Sequence, residues 1–373
     1  MKLLIAGDLS LQDRAKIFVT NEDNLDLAFG RIKELNKDVD YSIVNLESPI
    51  TNNDNGIIKD GPILNNPQSI FNVIHYCNFS IVTLANNHLK DYGSKGVVDT
   101  IKNCQAHNIQ FVGAGNNLDD ARSPLILNNN EIIVGLLNVC ENESSIAGQK
   151  SAGAAPLSEV NLYYDIKKLK ESVDKVLVIV HGGREHYQLP TPRMKQLYHF
   201  LIDIGADIVV NHHQHCYSGY ELYNGKPIFY GLGNFYFDNP RKRNEKWNYG
   251  LLLELDIQKE QTYFKLTPFE QCNDEATIKL RNYESVKDEI EKLNSIIADD
   301  CLLKDAFEKM VNSTKPLYPF LPYGNHYLRA LYARGYLPDG ISLMNKAKIE
   351  NAIRCETHRE VLLYYLNMHL HND

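Results

Sequence analysis

No run of 18 or more apolar residues occurs in the chain, so nothing in it reads as a membrane-spanning helix and direct membrane insertion is not expected. A basic excess is missing as well. Lys and Arg number 39 against 47 Asp and Glu, a formal charge of -8, which is the wrong sign for a phosphate-backbone partner and argues against nucleic acid. The seven cysteines contain no Cys-x-x-Cys spacing, and an odd number leaves one unpaired. A reduced, cytoplasmic setting fits that usage better than a disulfide scaffold. The opening Met1-Lys2-Leu3-Leu4-Ile5-Ala6-Gly7-Asp8 is too short in apolar content for a signal-peptide core and ends in an aspartate, so it reads as a first strand and a leader is not expected. Internal repeats and low-complexity linkers are also lacking.

What remains has the composition of an ordinary globular protein: 373 residues, 43% hydrophobic and 23% charged, enough for one large domain or two of common size. Short apolar runs alternate with longer amphipathic stretches, the pattern of a layered α/β protein. Strands are expected at 2–6, 41–46, 79–84, 109–112, 131–138, 175–180, 207–210 and 227–230, with an antiparallel pair at 251–257 and 262–266. Helices are expected at 24–37, 67–77, 93–107, 165–173 and 192–204. After about Cys272 the character changes to helical apolar spacing at 284–298, 302–311, 324–334 and 341–370, punctuated by Pro316, Pro319 and Pro322. The expected division is a main domain over 1–272 and a helical C-terminal extension over 273–373.

Three imidazoles crowd into Asn211-His212-His213-Gln214-His215, directly after the apolar run 206–210. Residues two apart on a strand share a face, so His213 and His215 can aim at one point where the strand runs out, and neutral imidazole is the commonest protein ligand for zinc-like and iron-like ions. Other strand ends carry ligand chemistry too: Gly7-Asp8, Asn45-Leu46-Glu47, Asn86-Asn87-His88 and His181-Gly182-Gly183-Arg184-Glu185. Singly, each reads as readily as a cap or turn. In open α/β sheets, however, strand carboxyl ends converge on one crevice, and five such tips together point to a metal site.

These segments, together with Asp91-Tyr92-Gly93, Gly113-Ala114-Gly115-Asn116, Gly205-Ala206-Asp207 and Gly233-Asn234-Phe235, resemble the CapA/PgsA family of bacterial capsule and poly-γ-glutamate synthesis proteins, within the calcineurin-like metallophosphoesterase superfamily. The resemblance runs in order over about residues 1–237. It implies a four-layer α/β/β/α sandwich and a centre for two divalent ions, Mn, Fe or Zn. By the same resemblance Asp8, Glu47, Asn87, His181, His213 and His215 are the metal ligands, and His88 protonates the leaving group. His212 stands where the superfamily motif has glycine and is expected to point away or to serve from behind the ligands. Asn45, Glu185 and Asn234 are assigned to the same supporting or substrate-facing role. Arg184 either steadies a phosphoryl oxygen or pairs with Glu185.

Two departures from the superfamily pattern stand out. Ser10 occupies the place of the histidine in the usual Asp-x-His, and Glu47 replaces an aspartate. The expected activity is metal-dependent hydrolysis of a phosphorylated small molecule or polymer precursor, serving capsular or other surface-polymer synthesis, with capsule-synthesis proteins as partners. The rival readings are a non-catalytic accessory protein that binds polymer or synthase, and a metal-dependent hydrolase of amide or γ-glutamyl bonds. Arg241-Lys242-Arg243 reads as a solvated loop and Cys216 as a buried bystander.

Overall fold

The computed structural model describes residues 1–314 and 342–370, with Tyr327, Leu331, Arg334 and Tyr336 between them. Most of the helix expected over 324–334, the three prolines named above, His326 and His371 lie outside the described residues. The strands are β1 (Lys2–Ser10), β2 (Tyr41–Leu46), β3 (Ile81–Thr83), β4 (Gln110–Val112), β5 (Ala114–Gly115), β6 (Leu125–Asn128), β7 (Ile133–Cys140) and β8 (Gly153–Ala154). There follow β9 (Lys175–His181), β10 (Ile208–His212), β11 (Tyr220–Tyr223), β12 (Lys226–Phe229), β13 (Asn234–Phe237), β14 (Tyr249–Ile257), β15 (Thr262–Gln271) and β16 (Ile278–Leu280).

Two large sheets result. One runs β16-β15-β14-β1-β2-β3-β4, with β13 also paired to β1; the other runs β11-β12-β10-β9-β7-β6. Alternation along the first sheet decides the layers. Leu3, Ile5, Ile43 and Ile81 belong to the core shared with the second sheet. Their neighbours Leu4, Ala6, Val44 and Val82 belong to an outer core with helices Glu22–Leu35, Ile70–Tyr76 and Gly93–Ala106. The second sheet is buried on both faces, so β9 reads as the unbroken run Val176-Leu177-Val178-Ile179-Val180. Leu162, Ile166 and Leu169 of Glu159–Lys170 and Leu197 and Leu201 of Pro192–Asp203 join its core. The order is therefore helix, sheet, sheet, helix, the expected four-layer sandwich.

Several local outcomes differ from the sequence expectations for identifiable reasons. The helix expected from Asp165 starts at Glu159, because the Ser158 side chain accepts from Asn161 N and caps it. Strand β13 is only four residues long and parallel to β1, too short to stand out by periodicity. Strand β16 pairs antiparallel with β15, so the sheet continues past Cys272. Beyond it, helix Lys287–Ala298 buries Ile290, Leu293 and Ile297 in the inter-sheet core. The stretch 341–370 is two helices, Leu343–Arg354 and Glu356–Leu370, broken by the extended backbone of Cys355.

Candidate metal centre

The carboxyl ends of the parallel strands open on the same side, and Asp8 is placed there by a local irregularity. The register between β1 and β2 shifts between Ala6 and Asp8, and a Cβ on Gly7 would stand 1.8 Å from Gly233 O. Only glycine allows that close approach, which seats Asp8 beside the β13 end. Asp8 is fully buried. Its Oδ1 accepts from Asn45 Nδ2 at 2.7 Å and lies 3.8 Å from His181 Nδ1; its Oδ2 lies 3.4 Å from His215 Nδ1. Asn45 is itself held by Thr83 Oγ1 at 3.1 Å.

Ligand atoms of Asp8, Glu47 and His181 fall within 4.8 Å of one another. His181 Nε2 lies 3.1 Å from both Asn87 Oδ1 and His213 Nδ1. His215 turns its Nε2 toward Glu47 Oε1 at 3.7 Å, and its Nδ1 is 2.9 Å from Asn234 Oδ1. All six residues expected as ligands thus meet in one place. The convergence of His213 and His215 does not come from strand alternation, however. Strand β10 ends at His212, and His213 and His215 both have positive φ, 92° and 54°. Two left-handed residues wind the chain so that both rings turn inward, and such strain in non-glycine residues gathers at functional sites.

His212 is buried, and neither ring nitrogen has a hydrogen-bond partner. Burial pushes its basicity down, with Asp8 opposing, so it sits close behind the centre as an unpaired neutral ring. Ser10 Oγ is 3.3 Å from Ser48 Oγ and accepts from Gln12 Nε2 at 3.1 Å. That hydroxyl is occupied by Ser48 and Gln12 rather than directed at the centre. Glu185 is exposed at the rim. His213, His215, His186 and His88 nonetheless lie close enough to lower its carboxyl below the ordinary range. Half-buried Arg184 acts instead on His186 and His358.

The proton-handling corner is better equipped than the sequence suggested. His88 Nδ1 is 2.7 Å from Asp91 Oδ2, leaving Nε2 facing the centre, 3.9 Å from Glu47 Oε1. Lys59, from an irregular loop, reaches in with its buried ammonium: 2.6 Å to Asp91 Oδ1 and 3.2 Å to both Asn87 O and His88 Nδ1. Burial, then Lys59, lower the His88 imidazole against the pull of Asp91, and the geometry leaves Nε2 directed at the cleft. Lys59 carried no sequence signal, since a lone lysine in a polar loop reads as solvated. Three more contributors went unseen. Glu141, at the end of β7, donates from its backbone N to His181 O at 3.1 Å and accepts from Gly183 N at 3.2 Å. His186 and Trp247 flank His215, with Trp247 4.6 Å away between ring centroids.

The carboxylates test whether a cation fits. Both Glu47 oxygens are buried with no hydrogen-bond partner, a costly state for a protein group. Burial pushes the Glu47 carboxyl well up, with Asp8 adding to the rise against His215. Burial would also raise Asp8, but His215 and His181 prevail and hold it well below the usual carboxylate range. His215, despite burial, is raised to about 10 by Glu47 and Asp8, whereas His213 is lowered to about 4, chiefly by burial. A mixed oxygen and imidazole set with an orphaned carboxylate is what a divalent ion of intermediate hardness would satisfy.

A family model described as bacterial capsule synthesis protein PGA_cap matches residues 2–239. The chain belongs to that family. Similar proteins include the capsule biosynthesis protein CapA of Bacillus anthracis, 32% identical over 247 residues, covering 64% of this chain and 60% of that one. The PGA biosynthesis protein CapA of Bacillus subtilis is 32% identical over 257 residues, covering 68% and 67%. A probable polyglutamine synthesis accessory protein of Mycobacterium tuberculosis is 30% identical over 223 residues, covering 53% and 56%. The chain therefore spans only part of the length of these curated relatives. Among solved structures, the calcineurin-like phosphoesterase YfkN from Bacillus subtilis superposes with a TM-score of 0.43 at 15% identity, covering 82% of this chain and 98% of that one. No described helix is long and apolar enough to cross a membrane.

Proposed function

We propose that the protein is a metal-dependent phosphoesterase acting on a phosphorylated small molecule or polymer precursor in the synthesis of a capsular or other surface polymer. The single observation that carries this is Glu47: a buried carboxylate with both oxygens unpartnered, beside Asp8 and His181 and within reach of His215. Asp8, Glu47, Asn87, His181, His213 and His215 would hold two divalent ions, Mn, Fe or Zn. When bound, such a pair would supply Lewis acidity, lowering the pKa of a water nucleophile and offsetting negative charge on the phosphoryl group. The chain's own groups do the rest. Asp91 and Lys59 fix the His88 ring so that Nε2 faces the leaving oxygen; in its protonated form, with Nδ1–H held by Asp91, the imidazolium gives its Nε2 proton to that oxygen and is left neutral, a step worth ~10²- to 10⁴-fold. Trp247 and His186 shield His215 on the flank, and Arg184 at the rim supplies a positive charge for a phosphoryl oxygen.

Membership in a capsule-synthesis family supports the polymer context, and the free thiols of all seven cysteines support a reducing, cytoplasmic setting. A second reading has its own support. Ser10 leaves the first ion one imidazole short, and a relative is named an accessory protein, so a non-catalytic role binding polymer or synthase is the alternative. Elemental analysis with a phosphoester panel separates the two. The phosphoesterase reading expects bound divalent metal and turnover in the wild type, with turnover abolished in His88→Asn while metal is retained.

A further inference from the structure

Glu141 directly follows β7, whose last residue, Cys140, lies in register with His181 at the tip of β9. Its side chain is buried, a costly place for a carboxylate unless charge and hydrogen bonds are met there. They are met from four sides. Oε1 accepts from Thr357 Oγ1 at 2.7 Å and pairs with the Arg193 guanidinium; Oε2 accepts from Gly183 N at 3.2 Å and takes the Cys355 thiol at 3.5 Å. Burial alone would raise the carboxyl, but Arg193 and Thr357 prevail and hold it below its ordinary value. Glu141 is thus a buried, charged group held by two distant parts of the chain.

On one side it shapes the turn that carries a proposed ligand. Glu141 N donates to His181 O at 3.1 Å, and a Cβ on Gly182 would meet Glu141 Cγ at 2.7 Å, so the His181-Gly182-Gly183 turn is moulded on this side chain. Gly182 N donates in turn to His212 O at 3.2 Å, which carries the constraint to the strand end that leads into His213. On the other side Glu141 is gripped by the start of helix Glu356–Leu370. Fully buried Thr357 holds the carboxylate, Glu356 accepts from Asn142 N at 2.8 Å and Nδ2 at 2.7 Å, and Glu360 accepts from Arg193 N at 3.0 Å. Apolar residues of similar volume would fix a helix to a sheet edge at least as well as a buried ion pair does. A charged carboxylate at this position is accounted for by the turn it holds.

We infer that Glu141 and Thr357 are positioning residues of the metal centre: helix Glu356–Leu370 holds Glu141, Glu141 holds the backbone of His181, and the C-terminal helix is thereby part of the divalent-ion site although it supplies no ligand. This rests on the metal-binding part of the proposed function. Groups that orient ligands from behind are worth ~10- to 100-fold in metal affinity.

The test titrates Co²⁺ into the metal-free whole chain by calorimetry and records the visible absorption of the bound ion, whose bands respond to ligand geometry and not to the stability of the fold. The wild type should bind Co²⁺. Glu141→Gln should bind it ~10- to 100-fold more weakly and with shifted bands. Thr357→Val removes the hydroxyl at nearly constant volume and should move affinity and bands in the same direction, whereas Thr357→Ser keeps the hydroxyl and should retain the wild-type values of both. Val361→Ala loosens the same helix where it packs with Phe307 and Val311; it should lower stability in urea and leave affinity and bands unchanged. Wild-type affinity and bands in Glu141→Gln overturn the inference and leave the metal reading standing, as does a shift in Val361→Ala as large as that in Thr357→Val. A wild type that binds no Co²⁺ refutes the metal reading and this inference with it.

Discussion

Replacing Glu47 by leucine separates what this residue costs the fold from what it contributes to binding. In the metal-free protein the carboxyl is buried, unpartnered and pushed well above its ordinary value by burial and by Asp8. Removing a buried unsatisfied polar group recovers about 1–3 kcal/mol, so Glu47→Leu should be more stable than wild type in the presence of a chelator. The sign with pH follows from the raised carboxyl. Its contribution is intact below about 4.5 and is lost as pH rises toward the folded value, so the advantage of the variant should widen with pH. Metal reverses the order. At a hundredfold excess over Kd, one bound ion stabilises the wild type by about 2.7 kcal/mol, and the variant should gain much less. Thermal unfolding with chelator and with Mn²⁺, each at pH 5.5 and 8, reads all four states. A variant less stable than wild type in chelator, or equally stabilised by metal, would refute the reasoning.

Three further outcomes follow from particular contacts. Burial pushes the Glu143 carboxyl up to about 8; a rise from 4.5 to about 8 caps its effect at about 5 kcal/mol, present below pH 4.5 and lost by pH 8. Glu143→Gln should therefore flatten the decline in stability between pH 5 and 9 relative to wild type, as urea unfolding across that range would report; parallel curves would count against it. Lys59→Met strips the buried ammonium from Asp91, and breaking such a pair costs about 3–5 kcal/mol; a loss below 1 kcal/mol in urea unfolding would mean that Lys59 is not holding this corner. Gly7→Ala drives a Cβ into Gly233 O, so β1 and the β13 end must part. Metal content measured on the folded fraction should fall along with stability, and retained full metal loading would show that the Asp8 seat does not depend on that approach.

The long elements were legible because their patterns are strong. The apolar run expected as a strand over 175–180 is β9, Lys175–His181, and the helix expected over 192–204 is Pro192–Asp203. The six residues proposed as ligands were marked by the family resemblance and by their position at strand ends, and the structure brings them together. The supporting residues were unmarked. Lys59 and Glu141 are single charged residues whose meaning comes from a backbone path bringing them to Asp91 and Gly183, and no local spacing encodes that path. Strand period does not produce the inward turn of His213 and His215; two positive φ angles do, which a histidine-rich loop does not advertise as glycine would. The break at Cys355 is set by tertiary bonds from Asn142 and to Glu141, and it falls within a stretch whose helical pattern runs on without pause.

The central claim is that this cluster binds divalent metal and cleaves a phosphoester with His88 as proton donor. Elemental analysis and phosphoester turnover on the same purified samples of wild type, His88→Asn and His213→Ala test it most directly. The account predicts metal and turnover in the wild type, metal without turnover in His88→Asn, and loss of both in His213→Ala. A wild type with no bound metal, or a His88→Asn protein that turns over at the wild-type rate, would contradict it.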